Sequence, residues 1–429
     1  MIRNAPFDVN GDPFPTTYWL TCPEAVRAVS RVEADGWIAR LNERVQRDER
    51  FGAALEAAHR GYAADRGEMA SDARSWGGVA GTRTGVKCLH AHYAHHLAGG
   101  SDPVGEEVAR RVEPIHGAPH GRVAVVDQGT NSIRLLVAEP RSEGGFAEIA
   151  RDLVITRLGR SVDATGRLDP EAVDRTIAVL ARYCRRARAL AAERIHVAAT
   201  SAVRDAGDSR EAYAAAVREH AGTELEVLTG EEEAALSFLG ATHGLDPADG
   251  PFLVLDIGGG STELVTGTRP GHAEQAVSMQ MGSVRLTERH VRHDPPTPPE
   301  LAAIDREVRA SLDDAAGSVA REARTLVACA GTPTTLQAIS LGLDRYDPDR
   351  IHRTWLSRDE TGWLLQAASG RSTAELAALP VMTPGRADVM VAGAVVLVAV
   401  MQRFGFERAL VSETDILDGL ALRELGLGG

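Results

Sequence analysis

The chain has 429 residues, of which 44% are hydrophobic and 25% are charged. This length predicts two or three domains, and the composition is typical of a folded globular protein rather than a disordered one. The formal charge of −13 argues against a long basic surface for duplex nucleic acid, so any phosphate site must be a local pocket. Four dispersed cysteines argue against a disulfide scaffold and fit a reducing compartment.

The chain has no stretch typical of export or of a membrane span. Its first residues lack the charged start, apolar stretch and cleavage site of a signal peptide. The longest apolar run, residues 389–401, has 13 residues, whereas a membrane span needs about 20. We therefore expect a cytoplasmic protein without membrane contact, in which this run forms a buried helix.

Residues 1–110 are expected to form a separate N-terminal domain, mainly α or α+β, with one cluster of candidate metal ligands. On a helix, Cys88, His92 and His96 would share a face at metal-ligand spacing. On a strand, His90 would join Cys88 and His92 instead. The pattern matches no standard zinc motif, and the alternative is a histidine-rich helix packed on aromatic residues, namely Tyr62, Tyr93 and Trp76.

Glycine, proline and charged residues are concentrated in residues 99–121, a composition typical of a connector. We expect a linker over residues 111–121. A β-branched run, a Gly/Asn turn and a second apolar run follow over residues 122–139, which is the signature of a β-hairpin.

This hairpin has a counterpart over residues 252–267, again with an aspartate before a glycine-rich turn that carries a serine. Asp127 and Asp256 are separated by 129 residues, and so are Ser132 and Ser261. The constant separation predicts two related domains that begin with the same turn.

Strands alternate with helices between and after the hairpins, which predicts the α/β class. Asp169 and Pro170 are placed to begin a helix, and residues 195–200 and 225–229 are strand-like. The second half repeats the alternation with a strand near 325–332 and three helices near residues 300–323, 358–368 and 387–404.

The two turns have the makeup of phosphate-binding loops. Small residues let backbone N–H groups converge on phosphate oxygens, and a serine or threonine hydroxyl adds a donor. A carboxylate before each turn, Asp127 or Asp256, suits a divalent cation that bridges to phosphate, and Glu263 could complete the site. The alternative is that both aspartates only cap turns, and the repetition of the turn argues against it.

From residue 122 onward the chain resembles the exopolyphosphatase and guanosine pentaphosphate phosphohydrolase (Ppx/GppA) family of the actin, sugar-kinase and heat-shock-chaperone (ASKHA) superfamily. The resemblance depends on nine segments in order: DQGTNSIRLLV (127–137), RLGRSVDATGRL (157–168), ATSAVRDA (199–206), TGEEEA (229–234), DIGGGSTEL (256–264), MGSVRLTE (281–288), AGTPTTL (330–336), PGRADVMVAG (384–393) and VSETDILDGL (411–420). It departs from the family at Gln128 and Thr130, which leave the turn chemistry intact.

The resemblance implies two actin-like, ribonuclease H-like α/β lobes around a cleft. Lobe I would span residues 122–250 and lobe II residues 251–429, with the C-terminal helix packing back on lobe I. Each lobe would contribute one phosphate-binding hairpin.

The resemblance also implies the site residues. Glu233 would be the general base, and Arg204 would lie near the phosphate chain. Magnesium, with a monovalent cation such as potassium as a further candidate, would be held by Asp256, Glu263 and Asp127. The substrate-binding residues would be the small and hydroxyl-bearing ones of three turns: Gly129, Thr130, Asn131, Ser132, Gly258, Gly259, Gly260, Ser261, Thr262, Gly331 and Thr332.

Several of these residues also have simpler interpretations. Glu231, Glu232 and Glu233 are adjacent, and a helix N-terminus attracts acidic residues through its dipole. Arg204 could form an exposed ion pair with Asp205. Gly331 and Thr332 could serve tight packing alone. We expect Arg386 to form a charge pair with Asp388 at a helix start, without a role in the reaction.

The implied activity is hydrolysis of a terminal phosphoanhydride bond in polyphosphate or guanosine pentaphosphate, a nucleotide of the stringent response. Long family members have an additional C-terminal helical region that this sequence lacks, so we expect short-chain polyphosphate or the 5′-phosphate of guanosine pentaphosphate as substrate. Family members commonly form homodimers. The alternatives are a kinase or ATPase of the same superfamily, and a non-catalytic sensor of guanosine tetraphosphate or polyphosphate.

The N-terminal region has its own resemblance. Residues 14–37 and 85–105 resemble the uncharacterised bacterial family called domain of unknown function 501. That family supplies no activity, so a metal site in this region would be structural or regulatory.

Overall fold

The computed structural model describes residues 2–4, 16–67, 77–112, 121–142, 144–315, 317 and 322–427. Trp76 and most of the expected linker lie outside these ranges. The chain forms two compact units, which are Met1–Arg122 with Ala181–Glu193 and Val123–Leu180 with Arg194–Gly429.

The N-terminal unit is mainly helical over its described residues. Its elements are β1 (Ile2–Arg3), β2 (Tyr18–Trp19), α1 (Pro23–Ala34), α2 (Trp37–Arg47), α3 (Glu49–Gly67), a 3-10 helix (Val79–Gly81), α4 (Leu89–Leu97) and α5 (Pro103–Ala109). Proline at the first turn begins α1 and α5, because that position needs no backbone donor. Leu41, Leu55 and Tyr62 are fully or almost fully buried in a common core with Leu89.

Lobe I contains a five-stranded mixed sheet of order β5-β4-β3-β6-β7. Its elements are β3 (Val123–Gln128), β4 (Ser132–Pro140), β5 (Phe146–Ile155), α6 (Val162–Thr165), α7 (Pro170–Ala189), β6 (Arg194–Ala199), α8 (Ser201–Arg204), α9 (Ser209–Ala221), β7 (Leu225–Val227) and α10 (Gly230–Thr242). The central strand β3 is buried throughout, as expected for a strand covered on both faces.

Lobe II repeats this arrangement with a six-stranded sheet of order β10-β9-β8-β11-β13-β12. Its elements are a 3-10 helix (Pro247–Asp249), β8 (Phe252–Ile257), β9 (Thr262–Gly267), β10 (Gln275–Met279), α11 (Ser283–His290), α12 (Pro298–Ala315), β11 (Thr325–Cys329), α13 (Gly331–Ser340), α14 (Pro348–Ile351), β12 (Thr354–Ser357), α15 (Arg358–Ser369), α16 (Thr373–Ala377), a 3-10 helix (Ala387–Val389), α17 (Met390–Phe404), β13 (Arg408–Val411) and α18 (Ile416–Glu424).

Both predicted hairpins are present as β3–β4 and β8–β9, and in each sheet the first hairpin strand also pairs in parallel with a later strand. The prediction of two actin-like α/β lobes is therefore confirmed. The C-terminal helix α18 packs on the sheet of lobe I, where Leu417 and Leu420 join Val123, Val125 and Leu136 in one buried cluster.

The apolar run near the C-terminus forms a core helix. Among the described residues, Ala387–Phe404 alone is long and apolar enough to cross a membrane, with mean hydropathy 1.7, and 72% of it is buried inside the protein. Helices α12 and α15 pack on α17. The segment thus supplies the interior of lobe II.

Candidate active site

The turns of the two hairpins are in direct contact. A Cβ atom on Gly260 would lie 2.6 Å from the hydroxyl oxygen of Thr130, and one on Gly259 would lie 3.0 Å from Thr130 Cβ. Only glycine allows this approach, because any larger residue in the second turn would push the first turn away. The two phosphate-binding loops therefore meet at one place, as the sequence predicted.

A small cleft lies between the turns, with a volume of about 100 Å³. This space is large enough to admit a phosphoryl group. Of the predicted residues, the cleft is lined by Gly129, Thr130, Asn131, Ser132, Gly258, Gly259, Gly260, Ser261, Gly331, Thr332, Asp127, Asp256 and Glu233. Thr262 and Glu263 are not among the lining residues, because both are buried, and the Thr262 hydroxyl donates to the carbonyl of Met281 at 3.1 Å.

Glu233 is the buried member of the three adjacent glutamates. Thr229 and Glu232 form a capping box that begins α10, and Glu231 is exposed. The helical register then turns Glu233 towards the cleft, where 7% of the residue is exposed. Burial raises the pKa of Glu233 to about 7, and Arg204 opposes the shift. A carboxyl group with this pKa can accept a proton near neutral pH.

Arg204 contacts Glu233 and not the cleft. Its Nη1 atom donates to Glu233 Oε2 at 2.9 Å and to the carbonyl of Leu228 at 2.9 Å. Arg204 is not among the lining residues, but it contacts Glu233, which is, and its Nη2 atom is buried without a hydrogen-bond partner. The expectation that it lies near the phosphate chain stays a prediction. Asp205 pairs with Arg285 at 2.6 Å instead of with Arg204.

Asp256 and Glu263 face each other across the antiparallel strands β8 and β9. Ser237 donates to Asp256 Oδ2 at 2.5 Å, and Ser278 donates to Glu263 Oε1 at 2.7 Å. Burial, followed by Asp415, raises the pKa of Asp256 to about 6. Burial, followed by the Glu233 carboxylate, holds the pKa of Glu263 well above its usual range.

These groups fit a divalent cation. Glu263 Oε2 is buried without a hydrogen-bond partner. A bound cation would also reduce the repulsion between the two buried carboxylates. Mg²⁺ is usually held by one or two carboxylates together with waters and substrate phosphates. Asp256 and Glu263 supply such a pair.

Asp127 differs from Asp256, because it has a cationic partner. Arg134 donates from Nε at 3.0 Å and from Nη2 at 2.7 Å to Asp127 Oδ2, and it also pairs with Asp415. The described residues contain no group in which ligand atoms of Asp127, Asp256 and Glu263 all lie within 4.8 Å of one another. The three carboxylates are thus not assembled within that distance. Arg134 contacts only Oδ2, however, and Asp127 Oδ1 is buried without a hydrogen-bond partner in the cleft lining, so Asp127 stays a predicted ligand.

Arg386 lines the cleft, contrary to the expectation of a charge pair at a helix start. Its Nη1 atom donates to the Thr335 hydroxyl at 3.1 Å, and a Cβ atom on Gly331 would lie 2.6 Å from Arg386 Cζ. Asp388 pairs with Arg157 at 2.9 Å instead. Residues two apart in a helical turn do not face each other, so the spacing of Arg386 and Asp388 already argues against a pair between them.

Further hydroxyl groups of the cleft were not predicted from the sequence. Thr200, Ser201 and Ser283 line it together with the two turns. Ser201 begins the short helix α8, which follows strand β6. A hydroxyl-bearing residue at the end of a strand is the signal that could have identified it from the sequence.

A larger chamber of about 760 Å³ adjoins the cleft and shares Arg134, Gly331 and Arg386 with it. Tyr346 and Glu413 line this chamber, and the tyrosine hydroxyl donates to Glu413 Oε1 at 2.6 Å. Burial raises the pKa of Glu413 to about 7. The chamber thus offers an aromatic ring and a protonatable carboxyl group beside the phosphate cleft.

The N-terminal unit does not assemble the predicted Cys88, His92 and His96 ligand set. Cys88 precedes α4 with an extended backbone, so its side chain does not follow the helical register. His92 Nδ1 lies 2.8 Å from Asp102 Oδ2, and His95 Nδ1 lies 3.0 Å from the same oxygen. The prediction is corrected because the buried Asp102 carboxylate, which caps α5, holds His92 away from the thiol.

Comparison with known proteins agrees with this site. The model of the Ppx/GppA phosphatase family matches residues 136–427, and a protein family of unknown function, DUF501, matches residues 1–110. Exopolyphosphatase 2 of Mycobacterium tuberculosis is 42% identical over 318 residues, which cover 71% of this chain and 99% of that protein.

Two solved structures are similar as well. A crystal structure of an exopolyphosphatase-like protein is 36% identical, with a TM-score of 0.66 over 70% of this chain and 98% of that one. The Aquifex aeolicus member of the Ppx/GppA family is 30% identical, with a TM-score of 0.62 over 71% of this chain and 97% of that one. Both resemblances seen in the sequence are thereby confirmed, and the chain is a phosphatase of the Ppx/GppA family with a DUF501 region at its N-terminus.

Proposed function

We propose that this phosphatase hydrolyses the terminal phosphoanhydride bond of a linear phosphate chain and releases inorganic phosphate. The observation that carries the proposal is the contact between the two turns, with buried Glu233 beside a cleft that admits a phosphoryl group. The relative from Mycobacterium tuberculosis that is 42% identical is named an exopolyphosphatase, which supports polyphosphate as the substrate class.

The residues of the cleft have two roles in the reaction, which are binding the phosphoryl group and accepting the proton of the attacking water. Backbone N–H groups of both turns and the hydroxyls of Ser132 and Ser261 bind the phosphoryl oxygens, and Arg386 adds a guanidinium group. A water molecule attacks the terminal phosphorus as the bond to the bridging oxygen breaks. Glu233 accepts the water proton on Oε1, because Arg204 holds Oε2 in place.

Magnesium fits this scheme at Asp256 and Glu263. When bound there, the cation offsets negative charge on the phosphate chain and on the two carboxylates. The chain's own contribution is to fix both carboxylates through the hydroxyls of Ser237 and Ser278. Potassium is a further candidate from the family resemblance.

A second candidate substrate is the 5′-phosphate of guanosine pentaphosphate. The adjoining chamber favours it, because it has room for a nucleoside and is lined by carboxyl groups as well as arginines, among them Glu413 and Arg386. Carboxylates accept hydrogen bonds from the N–H groups of a guanine base.

These proposals are tested by measuring phosphate release from four substrates: triphosphate, short polyphosphate, long polyphosphate and guanosine pentaphosphate. The Glu233→Gln variant serves as the negative control. We expect release from short chains without added nucleotide. Release only from ATP would favour the ATPase or kinase alternative, and binding without release would favour the sensor. If the chamber holds guanosine, Glu413→Gln lowers kcat/KM for guanosine pentaphosphate and leaves the value for triphosphate unchanged.

A further inference from the structure

Three side chains that can bind a metal meet in the N-terminal unit, and none of them is assigned to the phosphatase reaction. Glu33 lies on α1, Cys88 precedes α4, and His90 lies in the first turn of α4. The three ligand atoms all lie within 4.8 Å of one another, and this is the one such group of three among the described residues. Each side chain is only partly buried, so an ion can reach the group from solvent.

The imidazole of His90 is oriented as a metal ligand. Its Nε2 atom lies 3.1 Å from the backbone carbonyl of Val26, which can only accept, so Nε2 carries the proton and donates it there. The Ser30 hydroxyl lies at 3.1 Å from the same nitrogen. Nδ1 of the neutral ring then presents its lone pair to the Cys88 and Glu33 side chains. A carbonyl that fixes the tautomer in this way is the usual outer partner of a metal-bound histidine.

The two separations from the His90 nitrogen suit a tetrahedral ion, and the third pair, Cys88 and Glu33, lies within 4.8 Å. His90 Nδ1 lies 3.3 Å from Glu33 Oε1 and 4.0 Å from Cys88 Sγ. Ligands bound tetrahedrally at about 2.0–2.3 Å are separated from one another by about 3.3–3.8 Å, so shifts of a few tenths of an ångström are enough. The Leu89 N–H group donates to Glu33 Oε1 at 2.6 Å and holds the carboxylate at the site.

We propose that Cys88 Sγ, His90 Nδ1 and the Glu33 carboxylate bind one zinc(II) ion, with a water molecule as the fourth ligand. The mixture of sulfur, nitrogen and oxygen ligands is the chemistry that zinc prefers. One thiolate and one carboxylate also neutralise the two positive charges of the ion. The ion would join α1 to the start of α4. Glu33 and Leu89 are 56 residues apart in the sequence, so the site would be a structural crosslink of this unit.

The same contacts are also consistent with an ion pair between a protonated His90 and Glu33, in which Cys88 takes no part. The two interpretations differ in the role of the thiol. A zinc site requires Cys88 as a ligand, whereas the ion pair does not change when Cys88 is replaced.

Cobalt(II) substitution in the full chain tests the proposal, because a thiolate bound to cobalt gives a near-ultraviolet charge-transfer band that carboxylate sites lack. We expect this band in the wild-type protein and its loss in Cys88→Ser and His90→Gln. Matched controls are Cys22→Ser, since Cys22 is another partly buried cysteine that precedes a helix, and His96→Gln on the same helix as His90. Glu263→Gln controls for binding in the phosphatase cleft. A band that is absent from the wild type, or that survives in Cys88→Ser, overturns the proposal.

Thiol alkylation of the wild-type protein, mapped by mass spectrometry with and without Zn²⁺, gives a second test that needs no variant to fold. Zinc should slow alkylation of Cys88 by about tenfold or more and leave Cys22 unchanged, because a metal-bound thiolate is not free to react. Equal rates with and without zinc at Cys88 overturn the proposal.

Discussion

Arg134 and Glu263 occupy the same position in the two hairpins, yet they carry opposite charges. Each lies directly opposite an aspartate across an antiparallel pair of strands, Asp127 for Arg134 and Asp256 for Glu263. In lobe I the pair neutralises itself through two hydrogen bonds. In lobe II two carboxyl groups face each other, and burial raises the pKa of both.

This asymmetry predicts how stability depends on pH and on magnesium. In the folded protein the pKa is about 6 for Asp256 and about 7 for Glu233, whereas the ordinary values are 3.8 and 4.5. Between the ordinary and the folded values, the folded protein therefore binds more protons than the unfolded one. Its free energy of unfolding therefore falls as pH rises through this window. In the presence of a chelator, we expect the Tm to decrease as pH rises from about 5 to about 7.5. Added Mg²⁺ should raise the Tm again at the upper end of this range, as measured by thermal melts.

Two variants separate the cation site from burial in general. Glu263→Gln should lessen the fall of Tm with pH and abolish the stabilisation by Mg²⁺. Glu413→Gln removes another buried carboxyl group with a raised pKa and should keep the Mg²⁺ effect. An unchanged Mg²⁺ effect in Glu263→Gln would place the cation elsewhere.

Glu233→Gln tests the general base. Glutamine preserves the shape of the side chain but cannot accept the proton from water, so kcat should fall by about 10²–10⁴-fold while KM changes little. Steady-state phosphate release measures both constants. Glu231→Gln is the matched control, because Glu231 lies two residues away on the same helix and is exposed. Equal effects of the two substitutions would exclude a specific role for Glu233.

Arg204 should act through the pKa of Glu233. Its positive charge lowers that pKa, so Arg204→Met should move the acidic limb of the kcat–pH profile to higher pH, and Arg204→Lys should move it less. Activity of Arg204→Met should recover at the alkaline plateau. A variant that loses activity equally at every pH would instead indicate that Arg204 serves the structure of the cleft alone.

The sequence predicted the fold and the contact between turns because both depend on local patterns. An aspartate, a glycine-rich turn and a serine recur at constant spacing, and each hairpin begins its own sheet. Glu233 could be separated from Glu231 and Glu232 by the family resemblance, and the structure adds the physical reason. Thr229 and Glu232 begin the helix, which leaves Glu233 on its buried face.

The sequence did not predict features that depend on contacts between distant segments. Arg134 reaches Asp415 across 281 residues, and it thereby links Asp415 to Asp127, whose Oδ2 it also contacts. In the N-terminal unit, the helical spacing of Cys88 and His92 was correct for a helix, but Cys88 lies just outside it. Glu33, which lies 56 residues before Leu89, could not be identified as a neighbour from spacing alone.

Arg386 gives the last prediction, because its role was missed in the sequence. It lines the cleft beside Gly331, and its side chain donates hydrogen bonds to the Gly331 carbonyl and to the Thr335 hydroxyl rather than to a carboxylate. A charge-assisted hydrogen bond to phosphate contributes about 1.5–3 kcal/mol, so Arg386→Met should lower kcat/KM by about 10–100-fold, mainly through KM. Arg306→Met, at an exposed position on α12, is the control and should leave both constants unchanged. Unchanged kcat/KM in Arg386→Met would show that Arg386 supports α13 and does not bind the phosphate chain.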